Sequence, residues 1–195
     1  MDLLMTLLDD ARKKELAGDL KGAAAMLDTA PEKERTGEWF YARGAMAVRA
    51  GDFDAGVKAL EEAVKREPEI AEYRSNLGAA LLEKVKAGDA SLAKRALDEL
   101  ELAVQWGAAL PDVFANLSFA RLANGDKNGA LMAADVGIRL DVKHVASHYN
   151  RAAALNAMNQ LPQCLATLEE ILRISPGFAP AVQSKANTLK KMGKA

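Results

Sequence analysis

Two histidines four residues apart, His144 and His148, have the spacing that sets two imidazoles on one face of a helix, where they could share a metal ion. The rest of such a site is missing around them. No glutamate follows His144, and no third ligand stands at a helical spacing. A metal-dependent activity centred on His144 and His148 is therefore the last of the readings weighed below. The single cysteine, Cys164, has no intramolecular disulfide partner and suits a reducing compartment. It stands where the chain elsewhere carries alanine or glycine, which marks a small buried filler rather than a nucleophile. Glu61-Glu62 and Glu169-Glu170 are adjacent, so on a helix they diverge and form solvated faces, not an acid–base pair. There is no glycine-rich phosphate loop and no Gly-x-Ser-x-Gly turn. No catalytic residue, metal or cofactor is expected.

The elements that carry these residues follow a rhythm of small side chains. One set is Ala11, Gly44, Gly78, Ser118, Ala152 and Ala186, spaced 33, 34, 40, 34 and 34 apart. A second set, Ala23, Gly56, Ala96, Ala130 and Cys164, follows the first by 12 residues, except Ala96, which follows by 18. Between the sets lie Gly18-Asp19, Gly51-Asp52, Gly88-Asp89 and Gly125-Asp126, each a helix-ending glycine followed by a carboxylate suited to the next helix N-terminus. Asn159 replaces glycine in the last pair. Pro31, Pro68, Pro111 and Pro176 fall between pairs, where a missing N–H does no harm. The pattern predicts helices over 2–17 and 20–30, 36–50 and 54–66, 70–87 and 90–106, 111–124 and 127–140, 145–158 and 161–174, and a closing helix over 178–193. A period near 34 marks stacked helical hairpins, each needing neighbours to bury its apolar face.

Composition agrees. Half of the 195 residues are hydrophobic and 27% are charged, as in foldable globular chains. Alanine, leucine, glutamate and lysine favour helix over strand. The net charge of −1 points to no polyanionic partner, and Lys185, Lys190, Lys191 and Lys194 read as a solvated helix face, so no nucleic acid is expected. The opening run Met1–Leu8 is short, has no basic residue before it and is closed by Asp9-Asp10, which reads as the start of an amphipathic helix. No stretch approaches the ~18 apolar residues that span a bilayer. Membrane insertion is not expected, and the expected location is cytoplasmic.

These residues resemble the tetratricopeptide repeat. The second unit offers Phe40, Gly44, Gly56, Leu60, Ala63 and Pro68, and the third Leu77, Gly78, Leu81, Ala96, Leu100 and Ala103. Phe114, Leu117, Ser118, Ala130 and Ala134 fit the fourth; Ala152, Leu155, Cys164, Leu168, Ile171 and Pro176 fit the fifth. Departures are Arg43 and Arg151 at the usual leucine position and His148 at the usual aromatic one. The resemblance implies an all-α, right-handed α-solenoid of about five repeats plus a C-terminal capping helix. It implies a single domain over 1–195, with 1–35 a divergent first repeat or cap, repeats at 36–69, 70–110, 111–144 and 145–178, and a closing helix at 179–195. Six extra residues in the third hairpin predict that both its helices run almost one turn longer and carry its tip outward by roughly 4–5 Å. With Trp106 near the base, that extension is either a docking ledge or, the reading preferred here, a tolerated insertion.

In the family the inner face is lined by the first helix of each repeat. Carried onto this chain, one row is Ala42, Asn76, Asn116 and Asn150. The next is Ala45, Ala79, Phe119 and Ala153, and the third Val48, Leu82, Leu122 and Asn156. Tyr41 and Tyr149 flank them. The asparagine amides can pair with an extended backbone while the apolar rows take side chains. Glu38, Glu72 and Asp112 stand near positions where one subfamily places the basic groups that clamp acidic chaperone tails, which argues against that ligand. The expectation is a non-catalytic scaffold binding an apolar or amphipathic peptide or helical segment of a partner protein. The alternatives are a chaperone-like holder, or a scaffold that self-associates through its end helices.

Overall fold

The computed structural model describes residues 3–194. Position 2 of the first expected helix, and Ala195 of the closing repeat segment, lie outside the described residues. The chain divides after Ala108 into two compact units. The first holds α1 (Leu3–Leu16), α2 (Leu20–Asp28), α3 (Gly37–Arg49), α4 (Phe53–Arg66), α5 (Ala71–Lys86) and α6 (Ala93–Gln105). The second holds α7 (Pro111–Ala123), α8 (Lys127–Leu140), α9 (Val145–Ala157), α10 (Leu161–Ile174) and α11 (Ala179–Lys191). No strand occurs among the described residues.

Each helix ends for a local reason. Gly51 (φ 82°) takes the left-handed conformation that closes α3, and Asn159 (φ 60°) does the same after α9, as the sequence implies. Asp52 then accepts a hydrogen bond from the Ala55 amide at 3.1 Å, and Asp126 from Gly129 at 2.8 Å, capping α4 and α8. Asp89 departs from this pattern: its carboxylate accepts instead from the Ser91 hydroxyl at 2.5 Å and caps no helix. The third hairpin is correspondingly lopsided. Helix α5 has 16 residues where α3, α7 and α9 have 13, so the first arm is longer by nearly a turn. The second arm is not a longer α-helix. Its added residues form a separate 3-10 turn over Ala90–Leu92, because without an Asp89 cap the α-helical ladder begins only at Ala93.

Within each unit, consecutive helices pack as antiparallel hairpins, and first helices also touch first helices: α1 with α3, α3 with α5, and α7 with α9. The small residues sit at the crossings. A Cβ at Gly44 would lie 3.1 Å from the Gly56 carbonyl oxygen and 2.7 Å from Leu60 Cγ; one at Gly78 would lie 2.6 Å from Leu100 Cγ and 3.3 Å from the Ala96 carbonyl oxygen. Ser118 occupies the same crossing in α7 and donates its hydroxyl to the Ala130 carbonyl at 2.8 Å, so a polar side chain is satisfied where it is buried.

The departures from the repeat pattern have partners. Arg43, at a usual leucine position, pairs with Asp28 at the C-terminal end of α2 at 2.9 Å. Arg151, at the same position of α9, pairs with Asp135 of α8 at 2.8 Å and donates to the Thr167 hydroxyl at 2.6 Å. Arg74 donates to the Pro68 carbonyl at 2.7 Å and pairs with Glu99 at 2.8 Å, both side chains largely buried. The first hairpin packs through Ala11 and Ala23, both fully buried, and the Trp39 indole N–H donates to the Leu27 carbonyl at 2.8 Å.

Alanine is a better helix former than glycine by about 1 kcal/mol. Overpacking a tight core costs about 1–3 kcal/mol, and Leu100, itself fully buried, would have to shift to admit the added carbon. Gly78→Ala is therefore expected to lower the circular-dichroism melting midpoint, and Gly78→Leu to lower it further.

Candidate functional site

The first helices of the first unit enclose a recess of about 390 Å³. Leu8, Asp9, Arg12 and Glu15 of α1, Glu38, Tyr41, Ala42, Ala45, Met46 and Arg49 of α3, and Glu72 of α5 line it. Its geometry follows from the crossings: close hairpins hold α1, α3 and α5 side by side, with their outward rows forming one surface. Tyr41 stacks on Tyr73 at 5.0 Å between ring centroids and 20° between planes, and donates its hydroxyl to Glu72 at 2.6 Å. Burial, then the hydrogen bond to Glu72, pushes the Tyr41 phenol far above its ordinary value. Burial, then the charges of Glu67, Glu38 and Glu72, pushes Tyr73 up to about 12.

The second unit has its own recess of about 470 Å³, formed by α9, α10 and α11. Tyr149, Ala152, Ala153, Cys164 and Leu168 make its apolar side; Asn156, Ser184, Asn187, Thr188, Lys190 and Lys191 supply polar groups, with no carboxylate among them. Lys191 donates to the Asn156 side-chain oxygen at 2.9 Å, and the Tyr149 and Ser184 hydroxyls are 3.4 Å apart. Cys164 is buried, with its sulfur 3.7 Å from the Thr188 hydroxyl.

Of the residues expected on the inner face, Tyr41, Ala42 and Ala45 line the first recess and Tyr149, Ala153 and Asn156 the second. Val48, Asn76, Ala79, Leu82, Asn116, Phe119, Leu122 and Asn150 line neither. Two of these correct the expectation. Leu82 is fully buried, a packing residue closed to a guest. Val48 turns to the hairpin crossing, where a Cβ on Gly56 would meet its Cγ2 at 2.5 Å. The asparagine row is also partly engaged. Asn76 donates its amide to the Glu72 carbonyl one turn back at 2.9 Å, and Asn150 to the Ala115 carbonyl of α7 at 2.7 Å. Asn116, Ala79, Phe119 and Leu122 are half-buried.

The histidines serve the hairpins. His144 stands at the N-cap position of α9 without a side-chain bond to the helix amides; it donates Nε2–H to Asp112 at 3.0 Å, which leaves Nδ1 to accept the Ser147 hydroxyl at 2.8 Å. His148 is buried, and its Nε2–H donates to the Val142 carbonyl at 3.0 Å. Ring nitrogens so engaged do not converge on a shared ion, and no group of three metal-ligating side chains is found among the described residues. Sequence reasoning placed Glu38 and Glu72 on this face but missed Asp9, Arg12 and Glu15 of α1 in the first recess and the role of α11 as a wall of the second. Glu38, Glu72, Lys190 and Lys191 are visible in the sequence, but only packing brings them round a cavity.

No family model matches the chain. Over 72 residues it is 39% identical to a tetratricopeptide repeat and J domain-containing co-chaperone, DNJ1, of Cryptococcus neoformans; the match covers 37% of this chain and 14% of that protein. Solved structures align over nearly the whole length. A thermophilic tetratricopeptide-repeat protein of Thermus thermophilus, TTC0263, superposes with a TM-score of 0.70 at 15% identity, covering 95% of this chain and 98% of that one. YrrB, described as a tetratricopeptide-repeat protein with an unusual peptide-binding site, does so with a TM-score of 0.75 at 19% identity over 94% and 92%. The chain has the tetratricopeptide-repeat fold, an all-α solenoid. No described helix is long and apolar enough to cross a membrane.

Two outcomes check this account. Titrated in the ultraviolet, Tyr41 and Tyr73 are expected to remain largely un-ionised at a pH where unfolded tyrosine, with its ordinary value of 10.0, has lost its proton. The raised values favour the folded state below pH about 10, and that contribution falls away as the pH rises from about 10 through 12. Separately, Asn150→Ala is expected to lower stability by about 1 kcal/mol through loss of its hydrogen bond to Ala115. Asn116→Ala is expected to leave the melting midpoint unchanged.

Proposed function

We propose that this chain is a non-catalytic protein-interaction module that holds a peptide or helical segment of a partner protein on the surface of its first helices. The observation that carries the reading is the recess of the first unit. It lies wholly among α1, α3 and α5, where the repeat resemblance puts the guest, and an aromatic and aliphatic wall faces a polar rim. Such a surface suits recognition of an amphipathic segment, with apolar side chains entering and polar groups fixing direction. Tyr41 and Ala45 in the first unit and Tyr149 and Asn156 in the second are the contact residues of this reading, with Ala79 a further position in the first unit and Asn116, Phe119 and Leu122 further positions in the second. The repeat division at 36–69, 70–110, 111–144 and 145–178, with 1–35 as first repeat or cap and 179–195 closing the chain, belongs to the same reading. So does a cytoplasmic setting, in keeping with one buried, unpaired cysteine.

A chaperone-like holder is the second reading. The similarity to part of a co-chaperone favours it, although that match spans only 14% of the relative's length.

Ala45→Trp and Ala153→Trp each fill one recess without touching a hairpin crossing. At least one is expected to remove partner proteins that the unaltered chain captures from lysate and that mass spectrometry identifies, with circular-dichroism melting unchanged. Identical capture by both variants would place the contact surface elsewhere and end this reading.

A further inference from the structure

The recess of the first unit carries a charge that a guest must answer. Asp9, Glu15, Glu38 and Glu72 face Arg12 and Arg49, a net of −2 in a partly enclosed space. Arg49 is already paired with Glu15, which leaves three carboxylates against Arg12 within the lining, with Lys13 of α1 also feeling the Asp9 charge. Among the described residues neither Asp9 nor Glu38 forms an ion pair, and Glu72 has only the Tyr41 hydroxyl.

The bland explanation is that Glu38 and Glu72 stand in the first turns of α3 and α5, where the helix dipole favours a carboxylate. That accounts for two of the three. It does not account for Asp9, which sits in the middle of α1. A cleft whose carboxylates outnumber its cations, with low-dielectric walls, favours a positive charge on whatever enters.

We propose that this recess takes a lysine or arginine side chain of the bound segment. The alkyl stem lies along Tyr41, Ala45 and Met46, and the cationic head sits among Asp9, Glu38 and Glu72. Lysine and arginine suit such a place because they lay an apolar stem on an apolar wall while the charge reaches polar groups, and a ring face adds attraction for the cation. The guest at this unit is then an amphipathic segment with a basic residue on its docking face. The inference rests on the interaction-module reading and narrows it.

The test uses the full chain and two capped, fluorescent synthetic peptides of equal length on one alanine–leucine frame, one bearing lysines and the other glutamates. Fluorescence anisotropy is expected to show the lysine peptide binding at least about tenfold more tightly, with affinity falling as salt is added. Glu38→Gln combined with Glu72→Gln is expected to weaken it about tenfold, since the glutamine at 72 keeps an acceptor for Tyr41 while losing the charge. Asp9→Asn, at an exposed position, provides a second variant should the pair disturb folding. Equal or tighter binding of the glutamate peptide, no binding of either peptide, or a lysine-peptide affinity indifferent to all these changes overturns the proposal. Binding of the glutamate peptide that Ala45→Trp abolishes would overturn the charge assignment while leaving the interaction module intact. A lysine-peptide affinity indifferent also to Ala45→Trp would sink both.

Discussion

The structure depends on two helices crossing where there is almost no side chain to separate them. At Gly78 the neighbouring Leu100 is already so close that a single added carbon would sit 2.6 Å from it, and at Gly44 the backbone oxygen of Gly56 is itself a wall. Glycine weakens an isolated helix, so its presence at mid-helix has to be offset by packing. Here the compensation is the burial of large side chains just beyond the crossing: Leu60, Leu77, Leu81 and Leu100 are all fully buried. Where a crossing carries a hydroxyl, as at Ser118, the facing carbonyl satisfies it. Each hairpin thereby becomes a stiff plank, and planks of this kind stack.

Stiff hairpins leave the first helices side by side, which creates both recesses. The walls mix packing residues, Met46 in the first recess and Ala152, Cys164 and Leu168 in the second, with exposed ones such as Glu38, Glu72 and Asn187, and only the exposed ones are free to vary. In the first unit the lining has come out acidic, in the second it carries two lysines and no acid. The charged residues that do pack behave differently. Arg43, Arg151 and Arg74 each meet a carboxylate across helices, as a partly buried guanidinium must if its desolvation is to be offset. The acids of the first recess, Asp9, Glu38 and Glu72, are exposed, so water meets their charge and none of them needs a partner within the fold.

The repeat period, the helix ends and the crossing residues were all readable in the sequence, because each is a local demand. A left-handed cap calls for glycine or asparagine, and an N-terminal carboxylate calls for aspartate one residue later. The lengthening of α5 was readable for the same reason. Its partner was not, because Asp89 could equally cap a helix or accept from Ser91, and the choice between those bonds sets where α6 begins. The candidate site was readable in part. Tyr41 and Tyr149 line recesses as the repeat pattern suggests, while Leu82 and Val48 lie on the same expected rows yet face their own hairpins. A row of positions gives direction only to within the breadth of a helix face, and a rotation of one residue moves a side chain from cleft to core.

What the sequence determined by itself, then, is the series of hairpins: spacing, caps and small residues act over distances shorter than one repeat, and each constrains the backbone without reference to the rest. What only the tertiary structure decided is which polar groups are left over. Whether Asn76, Asn150, His144 or Glu38 is free for another molecule depends on what lies opposite it, and hydrogen bonding and ion pairing are short-ranged in space but span some 35 residues along the chain, as between Asn150 and Ala115. A side chain becomes a binding group when folding leaves it unmatched, and no stretch of sequence records that remainder.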